Sequence, residues 1–387
     1  MRRLPIACSF AALVLGACAP ARQTRKPDPA LSRPAVQQVT MEPLHLGLAP
    51  DPELGLVDFD ATMLFREGLR FHEAGRHARA LVFYDRLREE FPGSRLVSAA
   101  AYNAGRCLEE LDRAEDALAR YRLILDGMPR SKDWVDAVFR SGAVLSALGR
   151  HAEASGLYGR LLARAELSNP DRLDAWVLRG ESFQAQQRSW DAEKAFRAVL
   201  RLFREREKDE YLDPAPAARA EFRLAELVAE RFALAPLRLP EQRMQEDLEA
   251  KARLLLEAQS GYLRSMRYGD PDWAIAAGYR IGKLYVDLHA ALEAADLPPD
   301  LDEREAQVYR ELLRERLAVL LRKALRVFEA TIQLAERTRS ENRWTRAARE
   351  EMTRVEKQVL SQLGHAPPQE PTKPEGPPAP DEEPDRS

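Results

Sequence analysis

Six histidines and three cysteines are the side chains in this 387-residue chain best suited to hold a metal or act as nucleophiles. Their spacing argues against both. H-E-x-x-H and C-x-x-C, patterns that place zinc ligands on one helix face or one turn, do not occur. His72 and His77, with Glu73 between them, read as polar residues flanking a tight turn, and His151 sits in a similar place. His45 and His365 lie in the terminal stretches, and His289 falls within a helical pattern. Cys107, beside the small residues Ala104 and Gly105, reads as a buried, inert thiol, with no nearby group that convincingly lowers its pKa. Neither a phosphate-cradling G-x-x-x-x-G-K-[ST] nor a G-x-S-x-G elbow is present. Carboxylate pairs such as Asp209-Glu210 and Glu382-Glu383 are solvated charge rather than an acid and base with separated pKa values. These residues predict no catalytic group, no metal and no cofactor, and the chain is not read as an enzyme.

The elements that carry them are helical. Ala, Leu, Arg and Glu dominate, side chains that lose little entropy in a helix, while glycine is sparse. Charged residues are abundant, yet the net charge is only -3, which argues against a nucleic-acid binder, since that would need a basic face to displace counterions.

At the start, Arg2 and Arg3 precede an apolar run from Leu4 to Leu15, too short to span a bilayer. The run closes on Leu15-Gly16-Ala17-Cys18, which resembles the lipobox of bacterial lipoproteins. That resemblance implies a signal peptide over residues 1–17, lipidation of Cys18, and a membrane anchor. An ordinary secretory signal cut near Ala17 or Ala19 is the alternative. By the sorting rule of enteric lipoproteins, Ala19 in place of Asp implies the periplasmic face of the outer membrane. Residues 18–58, rich in Pro, Gln and Arg, read as a disordered tether. Residues 366–387 hold eight prolines and six acidic residues and read as a disordered tail.

Between them the chain repeats. Gly68, Gly105, Gly142 and Gly180 stand 37, 37 and 38 residues apart. Phe71, Leu108, Leu145 and Phe183 follow three residues after each glycine, Ala80, Ala117, Ala154 and Ala192 twelve after, and Tyr84, Tyr121, Tyr158 and Phe196 sixteen after. Four columns in register over four units define residues 59–211 as a helix-turn-helix array, in which stacking supplies the core that no single unit can bury. The columns resemble the tetratricopeptide repeat (TPR), with Gly at repeat position 8, a large residue at 11, Ala at 20 and an aromatic at 24. The resemblance implies an all-α TPR solenoid. Residues 212–365 read as degenerate helical repeats with long C-terminal helices, either more of the same solenoid or a distinct helical cap. Gly278 and Ile281 fit positions 8 and 11 of a degenerate unit.

In TPR proteins the first helix of each unit lines a concave groove. Position 5 here gives Phe65, Tyr102 and Phe139, flanked by Arg66, Asn103, Arg106 and Arg140. Such a rail suits an extended peptide, with rings burying its apolar side chains and Asn or Arg holding its backbone or carboxylates. The same aromatics could instead pack as core between neighbouring helices. The lipobox and repeats together resemble bacterial periplasmic TPR lipoproteins, including barrel-assembly, secretin-pilotin and gliding-motility types. This implies a lipid-anchored scaffold or adaptor for other envelope proteins, or a secretin pilotin or barrel-assembly subunit; a peptidoglycan-binding or cell-wall-processing protein is the reading from another class. No nucleic acid or small-molecule substrate is expected.

Overall fold

Four times along the chain, a glycine on one helix faces an aromatic ring on the next. The computed structural model describes residues 45–48, 56–208 and 211–363, and the repeated contact organises its first half. A Cβ built on Gly68, Gly105, Gly142 or Gly180 would fall within 3.0 Å of Tyr84, Tyr121, Tyr158 or Phe196 respectively. Each ring is at most 1% exposed. The glycine column is therefore the space that the aromatic column fills, which fixes how closely the two helices of a unit approach.

The units are α1 (Ala61–Glu73) with α2 (His77–Glu90), α3 (Val97–Glu110) with α4 (Ala114–Gly127), α5 (Trp134–Ala147) with α6 (His151–Leu162), and α7 (Asn169–Ala185) with α8 (Ser189–Arg206). Each packs on its successor, α2 on α3, α4 on α5 and α6 on α7, so the core runs continuously between units. Asp60 caps α1 by accepting from the Met63 amide at 2.6 Å, and Ser168 caps α7 through the Asp171 amide. The turn inside each unit passes through one left-handed residue, at Gly75, Asp112, Gly149 and Gln187 in order. This column has the same spacing as the glycines, although only two of its four members are glycine.

Longer helices follow: α9 (Ala215–Leu234), α10 (Glu241–Met266), α11 (Pro271–Glu293), α12 (Glu303–Thr338) and α13 (Arg343–Leu363). They pack as antiparallel neighbours, α9 on α10, α10 on α11, α11 on α12, with α13 against both α11 and α12. Here the glycine contacts change. Gly282 meets the ring of Phe328, whereas Gly278 meets the Thr331 side chain, so Gly282 and not Gly278 is the counterpart of the earlier column. Gly261 inverts the arrangement, because the glycine stands on the second helix and faces Ala225 on the first. Lys251 is 3% exposed and donates to the carbonyls of Phe232 and Ala235, both at 2.8 Å. It thereby closes the C-terminal end of α9, where free carbonyls and the helix dipole favour a cation. Asp302 and Glu305 form a reciprocal capping box at the start of α12, and Asn342 accepts from the Trp344 and Thr345 amides to cap α13.

One departure from expectation precedes α1. Strands β1 (His45–Leu48) and β2 (Leu56–Phe59) pair antiparallel, with His45 opposite Phe59 and Leu48 opposite Leu56. The expected tether over 18–58 therefore ends in a short ribbon. The expected signal peptide, Cys18 and the expected tail over 366–387 lie outside the described residues. Among those described, no helix is long and apolar enough to cross a membrane.

Candidate functional site

The position-5 aromatics stand on the first helices of the first three units, and each is half-buried. Each leans on its own unit's repeat tyrosine: Phe65 on Tyr84 and Tyr102 on Tyr121, both with ring centroids 5.9 Å apart, and Phe139 on Tyr158 at 6.4 Å. The three are thus neither sealed in the core nor free of it. One side of each ring rests on a buried tyrosine, and part of the remainder stays open to solvent. In the fourth unit the rail ends, since the equivalent Val177 is 1% exposed.

The polar residues expected to flank the rail separate into two kinds. Arg66 and Arg106 are exposed, and Asn103 is half-buried. Arg140 is already committed within the protein. It grips Glu109 of the preceding unit in a fork, Nε to Oε1 at 3.1 Å and Nη2 to Oε2 at 2.7 Å, and Tyr121 donates its hydroxyl to the same carboxylate. Burial and the neighbouring Glu109 push the Tyr121 phenol well above its usual range, so it remains a donor at any ordinary pH. This knot joins α3, α4 and α5.

Sequence reasoning missed the knot because its members lie 31 and 12 residues apart. A counterpart recurs later: Tyr262 donates to Glu226, and Arg280 Nε donates to the same carboxylate at 2.6 Å. Glutamate, tyrosine and arginine again come from a first helix, its partner and the next first helix. The separations from the glutamate are 12 and 31 residues in the first knot but 36 and 54 in the second, so no fixed spacing in the sequence marks both. Glu181 plays a related part, bridging to Arg219 and Arg223 of α9 at 2.5 and 2.8 Å.

The turn histidines, read from the sequence as polar residues flanking a tight turn, come together with a cysteine of the next unit. His72 and His77 are both half-buried, their rings meet edge to face with centroids 5.4 Å apart, and His72 Nδ1 lies 3.5 Å from Cys107 Sγ. Cys107 is fully buried, and burial pushes its thiol up to about 11.

A tetratricopeptide-repeat protein is among the solved structures this chain resembles. That protein, from Parabacteroides merdae ATCC 43184, aligns over 78% of this chain and 98% of its own at 15% identity, with a TM-score of 0.39. Pseudomonas aeruginosa pilF aligns over 58% of this chain and 92% of its own, at 17% identity and TM-score 0.35. Residues 41 to the end of MamA from Desulfovibrio magneticus RS-1 align over 52% and 93%, at 16% and 0.36. No family model and no curated protein matches the sequence. The repeat assignment rests on the chain's own glycine–aromatic contacts.

Proposed function

We propose that this protein is a lipid-anchored periplasmic scaffold that presents its repeat face to partner proteins of the cell envelope. The observation that carries the reading is the row of half-buried rings, Phe65, Tyr102 and Phe139, each seated on a rigid buried tyrosine. A ring already oriented by the fold loses little freedom when a partner covers it, which is how aromatic anchors concentrate binding energy. Arg66 and Arg106 beside the row favour an acidic or carboxylate-bearing segment. The lipobox ending in Cys18 supports anchoring, and Ala19 supports the outer membrane.

The test is a crosslinking pulldown from membranes with wild type and the Phe65→Ala, Tyr102→Ala and Phe139→Ala variants. Partners should be lost at each variant while its helicity and melting stay close to wild type. If binding falls only in proportion to unfolding, the rings are core and the interaction face is elsewhere. Fractionation of a Cys18→Ser variant checks the anchor: it should leave the membrane fraction or accumulate as precursor, and unchanged behaviour refutes lipidation.

A further inference from the structure

We propose that His72, His77 and Cys107 form a binding site for one borderline-soft transition-metal ion of the zinc class, at the joint between the first and second repeats. Cys107 Sγ and one ring nitrogen from each histidine lie within 4.8 Å of one another. The three come from three elements: His72 from the end of α1, His77 from the start of α2, and Cys107 from α3 of the next unit. A four-coordinate zinc ion with bonds of about 2.3 Å to sulfur and about 2.0 Å to nitrogen holds those two atoms roughly 3.5 Å apart. The distance between Cys107 Sγ and His72 Nδ1 is 3.5 Å. The observed pair therefore already has the spacing of two ligands on one tetrahedral ion, and His77 stands near enough to complete three.

Two further features point to a ligand. His77 Nδ1 is buried and has no hydrogen-bond partner among the described residues, although a buried ring nitrogen ordinarily finds one. The Tyr84 hydroxyl, in the same buried cluster as Cys107, is also without a partner among the described residues. Thiolate and imidazole together are the donor set that selects zinc, copper or cobalt over magnesium or calcium. The surrounding charge is mixed: Arg106 opposes a cation, while Glu73 and Glu110 favour one.

Binding exchanges a thiol proton for the metal: Cys107 releases one proton to solvent as its sulfur takes the ion, and the imidazoles bind neutral. Three protein ligands leave a fourth position for water. The chemistry proposed is a clamp, because an ion shared by α1, α2 and α3 ties the terminal repeat to its neighbour. It is independent of the scaffold reading and can fail without affecting it.

The experiment titrates the full chain with zinc chloride, and separately with cobalt(II) as a spectroscopic probe, alongside Cys107→Ser, His72→Gln and His77→Asn. Wild type should take one ion, give a near-ultraviolet thiolate-to-cobalt charge-transfer band, and melt higher with zinc but not with magnesium. Cys107→Ser should abolish the band; Cys8 and Cys18 are present in both chains, so its loss is assigned to Cys107. Either histidine change should weaken zinc at least about tenfold. Should Cys107→Ser fail to fold, His77→Asn, at the half-buried turn, carries the test. A wild-type chain with no band and no zinc-dependent melting shift, or a band that survives loss of all three ligands, overturns the site.

Discussion

The two halves of the molecule bury different chemistry. Among the described residues, the polar side chains sealed in the first four units, the cysteine and tyrosines aside, are serines at 98, 141, 155 and 182. From α9 onward the sealed set is Glu221, Lys251, Ser265, His289, Thr331 and Thr345. Serine is small and can return its hydroxyl to its own helix, as Ser182 does to the Leu178 carbonyl. A buried lysine or glutamate must find a particular partner on another element, as Lys251 does at the end of α9 and Glu221 with Arg264 at 3.1 Å. The first half is thus specified by shape, a ring against a missing side chain, repeated. The second half keeps a glycine–ring contact at Gly282 and Phe328 and a Glu–Tyr–Arg knot at Glu226, Tyr262 and Arg280, and adds charged side chains sealed against particular partners.

That contrast is open to attack in four places. The largest effect is expected where shape is exclusive: Gly105→Leu should cost about 1–3 kcal/mol or more, because the added side chain would overlap the fully buried Tyr121 ring. Gly282→Leu against Phe328 should match it in a denaturant titration. A mild second value would mean that the glycine–ring device operates only in the first half. Next, Lys251→Met should lose about 1–3 kcal/mol by stranding the Phe232 and Ala235 carbonyls, although it keeps the apolar stem. A melt equal to wild type would show those carbonyls satisfied by other means.

A smaller effect depends on pH. His289 is 1% exposed, and its Nε2 has no partner among the described residues. Burial lowers its pKa and Glu293 only partly restores it, so the unfolded chain takes up the proton first. Stability from this group is full above about pH 6.5 and falls as acid lowers the pH toward the folded-state value. His289→Gln should flatten that part of the stability profile, measured as Tm against pH; an unchanged slope assigns the acid sensitivity elsewhere. The smallest change should be a gain. Gln187 adopts φ 59° at the turn where two other units place glycine. Gln187→Gly should stabilise by about 0.5–1 kcal/mol after glycine's own entropic cost, read as a small rise in Tm. Destabilisation would mean that the glutamine side chain holds the turn.

How much of this was legible in the sequence follows from the same contrast. Gly105 and Tyr121 are readable together because their separation is constant from unit to unit, so the all-α repeat architecture shows itself as columns. The fork between Arg140 and Glu109, and the approach of Cys107 to His72 across 35 residues, cross from one unit to the next and leave no local pattern. The half-burial of Phe65, Tyr102 and Phe139 was undecidable for a different reason: helical periodicity fixes which face a residue occupies but not how far the neighbouring unit covers it. The equivalence of Gly282 rather than Gly278 was hidden by the insertion of extra helical turns, which moves the register without breaking the apolar stripe.

The long helix α12 has a consequence for how the molecule melts. It is 36 residues long beside the 23 of α11, about 54 Å against about 35 Å, and its first sealed residue is Leu317. The stretch before Leu317 gains little from tertiary burial, so it holds its shape through its capping box and local propensity, in the manner of an isolated peptide. Such a segment uncoils gradually with temperature, whereas the stacked units give way together. Ellipticity should therefore begin to decline, on a shallow slope, well before the cooperative transition, and a probe placed near Tyr309 should sense a different temperature from one placed near Tyr121.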